Sequence, residues 1–306
     1  MMMRTTCKMS DATAHLSEKA AAYLLRPDAE RIAYIRSPRW IGYDKAKDVL
    51  DRLESLLTHP KSHRMPNLLV VGDTNNGKTM LVKRFCAKHP PDDNVDGDNA
   101  TVPVLFVQAP PVPDEGRFYN AILELLFAPY KPSDRTDRKQ FQAIKLMRTV
   151  GLRMLVIDEI HHILAGNLTR QKIFLNVIKF LGNELEIPIV GVGTRDAFRA
   201  IQTDLQLANR FEHAVLPRWK NDDDYIRLLM TFEQMIPLRN PSYLHDPALA
   251  DRIYAMSEGF LGEVSDLLVS AAVYAISTGK EAVDRKVLES IDWAAPSKRR
   301  LQPEGL

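Results

Sequence analysis

The sequence predicts an α/β chain: a parallel sheet of five strands between layers of helices, followed by a small all-helical domain. Three observations carry this expectation. Short apolar, strand-like runs alternate with helical patterns between residues 61 and 220, the signature of a parallel sheet covered on both faces. The first of these runs ends in a glycine-bearing loop that leads straight into a helical pattern. From Asn221 onward helical patterns follow one another without strands.

Residues 1–60 read as an N-terminal extension with helical stretches, and three consecutive methionines, Met1 to Met3, leave the start open. Residues 44–57 (DKAKDVLDRLESLL) set Val49, Leu50, Leu53, Leu56 and Leu57 on one helical face. A basic turn bounded by Pro60 and Pro66 leads to the first strand, 68–71. Further strands are expected at 102–107, 153–157, 187–192 and 213–216, and helices at 78–88, 118–128, 134–150 and 170–185. Residues 92–99 (DDNVDGDN) read as an acidic surface loop and 109–116 (APPVPDEG) as an extended connection. The helical domain, 221–294, is expected to contain helices at 223–235, 247–257, 264–278 and 285–291. Asp246-Pro247 and Asp284 read as helix starts, with an Asp N-cap and, in the first, Pro at N1. Residues 295–306 read as a flexible basic tail, a solvated charge run.

The chain has 306 residues, 45% of them hydrophobic, enough for one large domain or two smaller ones. Its formal net charge of +2 advertises no global affinity for nucleic acid, so any such contact needs a local patch. Two distant cysteines, Cys7 and Cys86, make neither a disulfide framework nor a metal cluster, and a cytoplasmic setting is the default reading. No apolar run approaches the ~18 residues of a membrane span, and the N-terminus lacks the apolar core of a signal peptide.

The glycine-bearing loop reads Gly72-Asp73-Thr74-Asn75-Asn76-Gly77-Lys78-Thr79-Met80. Glycine, four residues, then Gly-Lys-Thr is the phosphate-cradling P-loop pattern. Gly72 and Gly77 allow positive φ and close backbone approach, and Asn75 and Asn76 tolerate left-handed backbone better than most residues. The loop N–H groups and the helix start point at an anion. Lys78 then reaches the β- and γ-phosphates of ATP, and the Thr79 hydroxyl ligates Mg²⁺. Further on, Met154-Leu155-Val156-Ile157 ends in Asp158-Glu159. Such a chemistry needs a carboxylate at an adjacent strand tip to hold Mg²⁺, which fits Asp158, and Glu159 is then placed to polarise the attacking water.

His161-His162 follows directly. Adjacent side chains on a helix do not face one metal, so packing or surface roles are expected; His59 and His63, separated by Pro60, are read the same way. The run 187–192 leads to Gly193-Thr194-Arg195. The Thr194 hydroxyl either senses the γ-phosphate or caps the helix beginning at Arg195. Arg210, in Asn209-Arg210-Phe211, is either an arginine finger for a neighbouring subunit's nucleotide or a surface arginine.

Taken in order, the P-loop, the Asp-Glu strand end, the polar strand end, Asn-Arg-Phe and a helical lid resemble an AAA+ ATPase. More closely, Arg39-Trp40-Ile41-Gly42-Tyr43, Arg64-Met65-Pro66-Asn67-Leu68-Leu69, Thr74-Asn75-Asn76-Gly77-Lys78 and Leu207-Ala208-Asn209-Arg210-Phe211 resemble the TniB family, ATPase subunits of bacterial transposons. The resemblance covers about residues 29–291. It implies a five-stranded core plus lid, ATP-dependent self-assembly on double-stranded DNA, and partnership with a DDE transposase. Carried over by position, it makes Lys78 and Thr79 the P-loop pair, Asp158 and Glu159 the Mg²⁺ and water residues, Thr194 the sensor and Arg210 the finger. It sets Trp40, Ile41 and Gly42 near the adenine. One departure stands out: many AAA+ proteins carry an arginine on the lid helix after a glycine, and Gly259-Phe260-Leu261-Gly262-Glu263-Val264 has none. Slow hydrolysis is the expected consequence.

Three functions compete: a transposition regulator, a helicase loader or replication-initiator-like ATPase, and an ATPase acting on protein alone. The stretch 131–148 carries Lys131, Arg135, Arg138, Lys139, Lys145 and Arg148 against Asp134 and Asp137. This basic run favours DNA as partner, without sequence reading; a solvated helix face is its plainer interpretation.

Overall fold

The computed structural model describes residues 13–95, 97 and 99–301, with no side-chain description at 300 and 301. These residues form two compact units, one of residues up to 43 together with 218 onward, the other of residues 44–217.

The first unit begins with α1 (Glu18–Tyr23), whose N-cap Ser17 accepts from the Ala20 amide at 3.3 Å. Helix α2 (Asp28–Arg36) buries Ile35 in the core of the C-terminal helices. It also buries Arg31 completely. A buried guanidinium is tolerable only when its donors are satisfied. Here they reach Glu281 Oε1 at 2.8 Å and the Pro237 carbonyl at 2.8 Å.

The second unit opens with α3 (Asp44–Leu57). Its apolar face behaves as the spacing predicts: Val49, Leu50, Leu53 and Leu57 are buried. They pack on the sheet side, against α4 (Lys78–Lys88) and strands β1 (Asn67–Gly72) and β5 (Phe211–Leu216). Arg52 and Arg153 add hydrogen bonds to the carbonyls of His213 (3.0 Å) and Leu57 (2.9 Å). The boundary therefore falls between 43 and 44, not at 60 as the sequence suggested. Burying each such side chain stabilises by roughly 2 kcal/mol, which assigns α3 to the surface it covers rather than to its neighbours in sequence.

The remaining strands are β2 (Val104–Gln108), β3 (Met154–Asp158) and β4 (Ile189–Gly193). The sheet is wholly parallel, in the order β2-β3-β4-β1-β5. The expected strands all form, with ends shifted by a residue or two. The central β1, β3 and β4 are buried throughout, whereas edge strand β5 buries only Phe211, Ala214 and Leu216. Helices α5 (Glu115–Leu125), α6 (Thr136–Thr149), α7 (Leu168–Leu185), α8 (Arg195–Gln202) and α9 (Leu205–Ala208) connect the strands. Side chains of Asp114, Asn167 and Asp204 cap α5, α7 and α9. The chain leaves β1 for the far edge, returns through β3 and β4, then passes to the other side of β1. That reversal makes the carboxyl ends of β1 and β4 the topological switch point, where open α/β sheets bind ligands.

Helices α10 (Asp223–Met235), α11 (Pro247–Ser257), α12 (Leu261–Ser277), α13 (Arg285–Ser290) and α14 (Pro296–Leu301) complete the first unit. Asp246 caps α11 with Pro247 in its first turn, and Asp284 caps α13 through the Val287 amide at 2.7 Å, as the sequence predicts. The expected flexible tail differs. Residues 296–301 are helical, the Ser297 amide donates to Glu258 Oε1 at 2.9 Å, and Arg299 pairs with Glu263. Residues 302–306 lie outside the described residues. No single described helix is long and apolar enough to cross a membrane.

Candidate functional site

The loop between β1 and α4 has the backbone its residues foreshadow. Asn75 sits at φ 60°, and Gly77, the N-cap of α4, at φ 78°, ψ 6°. Gly72 is required for another reason: a Cβ there would lie 2.8 Å from the Leu216 carbonyl oxygen and 3.5 Å from Lys78 Cδ. The glycine lets the loop press against the end of β5. Thr74 and Asn75 are exposed, Asp73 and Gly77 half-buried, and Met80 is exposed on α4. The Asn76 side chain is turned inward, 2% exposed, and donates through Nδ2 to the carbonyls of Leu216 at 2.8 Å and Pro217 at 2.9 Å. It ties the loop to the sheet.

Lys78 is buried, and its ammonium donates to the Asp73 carbonyl at 2.7 Å, across the mouth of the loop. Burial pushes its pKa down, against the pull of Glu159, Asp158 and Asp73. A cation so poorly hydrated gains when an anion arrives. The Thr79 hydroxyl donates to Asp158 Oδ2 at 2.9 Å. These two oxygens, from α4 and the tip of β3, are hard donors of the kind magnesium takes. The other oxygen of Asp158 accepts from the Glu159 amide at 2.9 Å, which fixes the carboxylate plane.

Glu159 adopts φ 54°, ψ 34°, left-handed backbone at a residue with a side chain. Such conformations cost about 1–3 kcal/mol and cluster at functional sites. The turn swings its carboxylate onto His161, with Oε2 and Nε2 3.2 Å apart. Burial pushes the His161 pKa down, with Glu159 opposing. Thr194 follows β4, level with the P-loop, because Val71 pairs with Gly193. Its hydroxyl makes no capping bond to α8 and is buried without a partner. Capping is thus not what the hydroxyl does, and a ligand oxygen would satisfy it. Sequence reasoning passed over Arg195. Its Nε lies 3.1 Å from Asp73 Oδ1, so α8 reaches back to the P-loop. The signal was its place directly after Thr194.

Arg210 lies at the opposite end of the sheet. Asn67 pairs with Phe211 and Gly72 with Leu216. At ~3.3 Å per residue, Arg210 is roughly 17 Å from the P-loop of its own chain. Its Nη1 donates to Asn183 Oδ1 at 2.7 Å on α7.

Residues 31–221 match the family described as Bacterial TniB protein. The chain belongs to the TniB family. No curated protein matches it. Similar solved structures include the ORC2 protein of Aeropyrum pernix in ADPNP–ADP complexes, at 14% identity and TM-score 0.59 over 83% of this chain and 69% of that one. The ORC1 protein of Aeropyrum pernix in complex with DNA is 18% identical, with TM-score 0.54 over 88% and 67%. Drosophila ORC bound to DNA is 14% identical, with TM-score 0.57 over 94% and 68%. At these identities the likeness establishes the fold alone: this TniB-family chain has the AAA+ P-loop architecture.

The other expected site residues of this TniB chain belong to other elements. Trp40, Ile41 and Gly42 belong to the helical unit, where Ile41 packs on the core and Trp40 is half-buried. Of the expected DNA contacts, Lys131, Arg135, Arg138 and Lys145 are exposed on and before α6. Arg135 pairs with Asp137 at 3.1 Å and Arg138 with Asp134 at 3.4 Å. Lys139 is a correction: it is buried, and its ammonium donates to the Pro132 carbonyl at 2.9 Å. It closes the turn before α6 instead of facing a partner.

Proposed function

We propose that the chain is an ATP-dependent regulator of DNA transposition. It binds ATP with Mg²⁺, assembles as a homo-oligomer on double-stranded DNA without reading sequence, and recruits a DDE transposase. The observation that carries the nucleotide half is the meeting of Thr79 and Asp158, 79 residues apart in sequence, at 2.9 Å beside Lys78. Lys78 exchanges the Asp73 carbonyl for phosphate oxygens, and Thr79 and Asp158 hold the metal. Glu159 takes the proton of the attacking water, and the Thr194 hydroxyl finds its partner in the γ-phosphate. ATP supplies the bond that is cleaved to ADP and phosphate. Arg210, too far from its own loop, serves the nucleotide of the next subunit, so assembly and nucleotide state are coupled.

Membership of the TniB family supports transposition over the helicase-loader or initiator reading, which the likeness to ORC proteins keeps as the second candidate. Two of those solved structures are bound to DNA, which supports DNA as partner. Each copy brings a small basic patch. An array of copies gains by multivalency, and phosphate contacts carry no sequence information directly.

The test is filter binding to unrelated duplexes with an ATP analogue, with ADP and without nucleotide. Tight binding is expected with the analogue alone and should weaken steeply with salt. Lys131→Gln with Lys145→Gln should shallow the salt slope, and Lys139→Gln should leave it unchanged. Equal binding in all three nucleotide states refutes the switch. Capture of purified transposase by the analogue-bound array separates this reading from helicase loading.

A further inference from the structure

Two histidines follow Glu159, and their arrangement is not that of a regular helix. Residues 160–165 form a 3-10 turn, and Glu159 before it is left-handed. On an α-helix adjacent side chains do not face each other. Here the His161 and His162 rings are 5.0 Å apart between centroids. Glu159, His161 and His162 each offer one ligand atom, and the three atoms lie within 4.8 Å of one another. The two rings therefore face one another, which the sequence did not lead one to expect.

The donor atoms are also oriented. Glu159 Oε2 and His161 Nε2 are 3.2 Å apart. Ligands held at ~2.0–2.1 Å around a tetrahedral ion stand about 3.3 Å from each other, so one edge of such a site already exists. His161 Nδ1 is buried against Gly193, where a Cβ would lie 3.2 Å from it, so Nε2 is the nitrogen that faces Glu159. His162 Nδ1 lies 3.4 Å from the Ala109 carbonyl. A proton donated there leaves Nε2 bare, the arrangement seen around metal-bound imidazoles. All three residues are half-buried, leaving a side open to a solvent ligand. Two imidazoles and one carboxylate suit zinc and its neighbours; magnesium prefers oxygen donors.

We propose that Glu159, His161 and His162 form a binding site for a zinc-class divalent cation, separate from the Thr79–Asp158 oxygens, and that an ion held there withdraws Glu159 from hydrolysis. Only the inhibitory half rests on the ATPase reading above; the binding half stands on the three side chains.

The experiment titrates the full, nucleotide-free chain with Co²⁺ followed by visible absorption, and with Zn²⁺ by equilibrium dialysis, both in excess Mg²⁺. One equivalent per chain is expected. His161→Ala and His162→Ala should each weaken it at least about tenfold, and Thr79→Ala should not. His162→Gln, with its melting temperature measured, serves if an alanine variant fails to fold. ATP hydrolysis by the wild type should fall in step with zinc occupancy, and hydrolysis by His162→Ala should resist the same concentrations. Absence of uptake, or uptake indifferent to both histidines, overturns the site. Stoichiometric uptake with undiminished hydrolysis overturns the inhibitory half. A metal-free chain with no ATPase activity refutes the proposed function instead, while the uptake measurement still decides the site.

Discussion

Replacing Asn76 by alanine distinguishes a loop anchor from a nucleotide contact. The side chain is 2% exposed and donates to the carbonyls of Leu216 and Pro217 at 2.8 and 2.9 Å. Each neutral hydrogen bond contributes about 1 kcal/mol net, and where its carbonyl is left dry the loss is roughly 1–3 kcal/mol instead. One gain opposes this. Asn76 Oδ1 is buried without a partner, and alanine removes that unpaired acceptor. The balance is a loss of about 2 kcal/mol. For a unit the size of residues 44–217 that lowers the melting temperature by roughly 4–8 °C. Asn76→Asp should be worse, because it sets a carboxylate oxygen against two carbonyl oxygens with no proton between them. Binding of a fluorescent ATP analogue should weaken in both variants, since the loop loses its tie to β5. The assay pairs thermal unfolding with analogue titration. Wild-type melting temperatures in both variants, with binding lost, would mean that Asn76 meets the nucleotide directly and that the anchoring role is mistaken.

Three further outcomes are expected. Thr194→Val should leave stability unchanged or slightly raised, because the hydroxyl it removes is buried without a partner, yet lower ATP turnover; unchanged turnover would end the sensor role. Arg31→Ala should destabilise the helical unit in urea by about 3 kcal/mol, the low end for a broken buried pair, because Glu281 keeps Arg239 at 3.2 Å; a loss under about 1 kcal/mol would contradict this burial. Mixing Arg210→Ala with Lys78→Ala subunits should restore ATPase activity that neither has alone, as each supplies what the other lacks; no rescue at any ratio, with assembly intact, would assign Arg210 a structural role.

The sequence by itself determined the ordering of elements and the chemistry of the loop. Gly-x4-Gly-Lys-Thr demands left-handed backbone and a helix start, and Asn75 and Gly77 supply the positive φ. Apolar runs too short for buried helices had to be strands, and Asp-Pro and Asp caps announced α11 and α13. These are local rules, carried by neighbouring residues. Partners distant in sequence were decided by tertiary structure alone. Asn76 turns inward because two carbonyls at the end of β5 and just beyond it, 140 and 141 residues away, need a donor. Lys139 reads as a surface cation in a basic run, yet folds onto Pro132 because α6 buries the face it occupies. His161 joins Glu159 through a left-handed residue that no spacing rule foresees. Residues up to 43 pair with helices beyond 218 because Arg31 finds its carboxylate 250 residues later. The pattern of side chains along a chain fixes which faces are apolar and which groups carry charge. Which of those groups satisfy one another is settled only when burial removes water and each polar atom must take whatever partner the packed fold brings within reach.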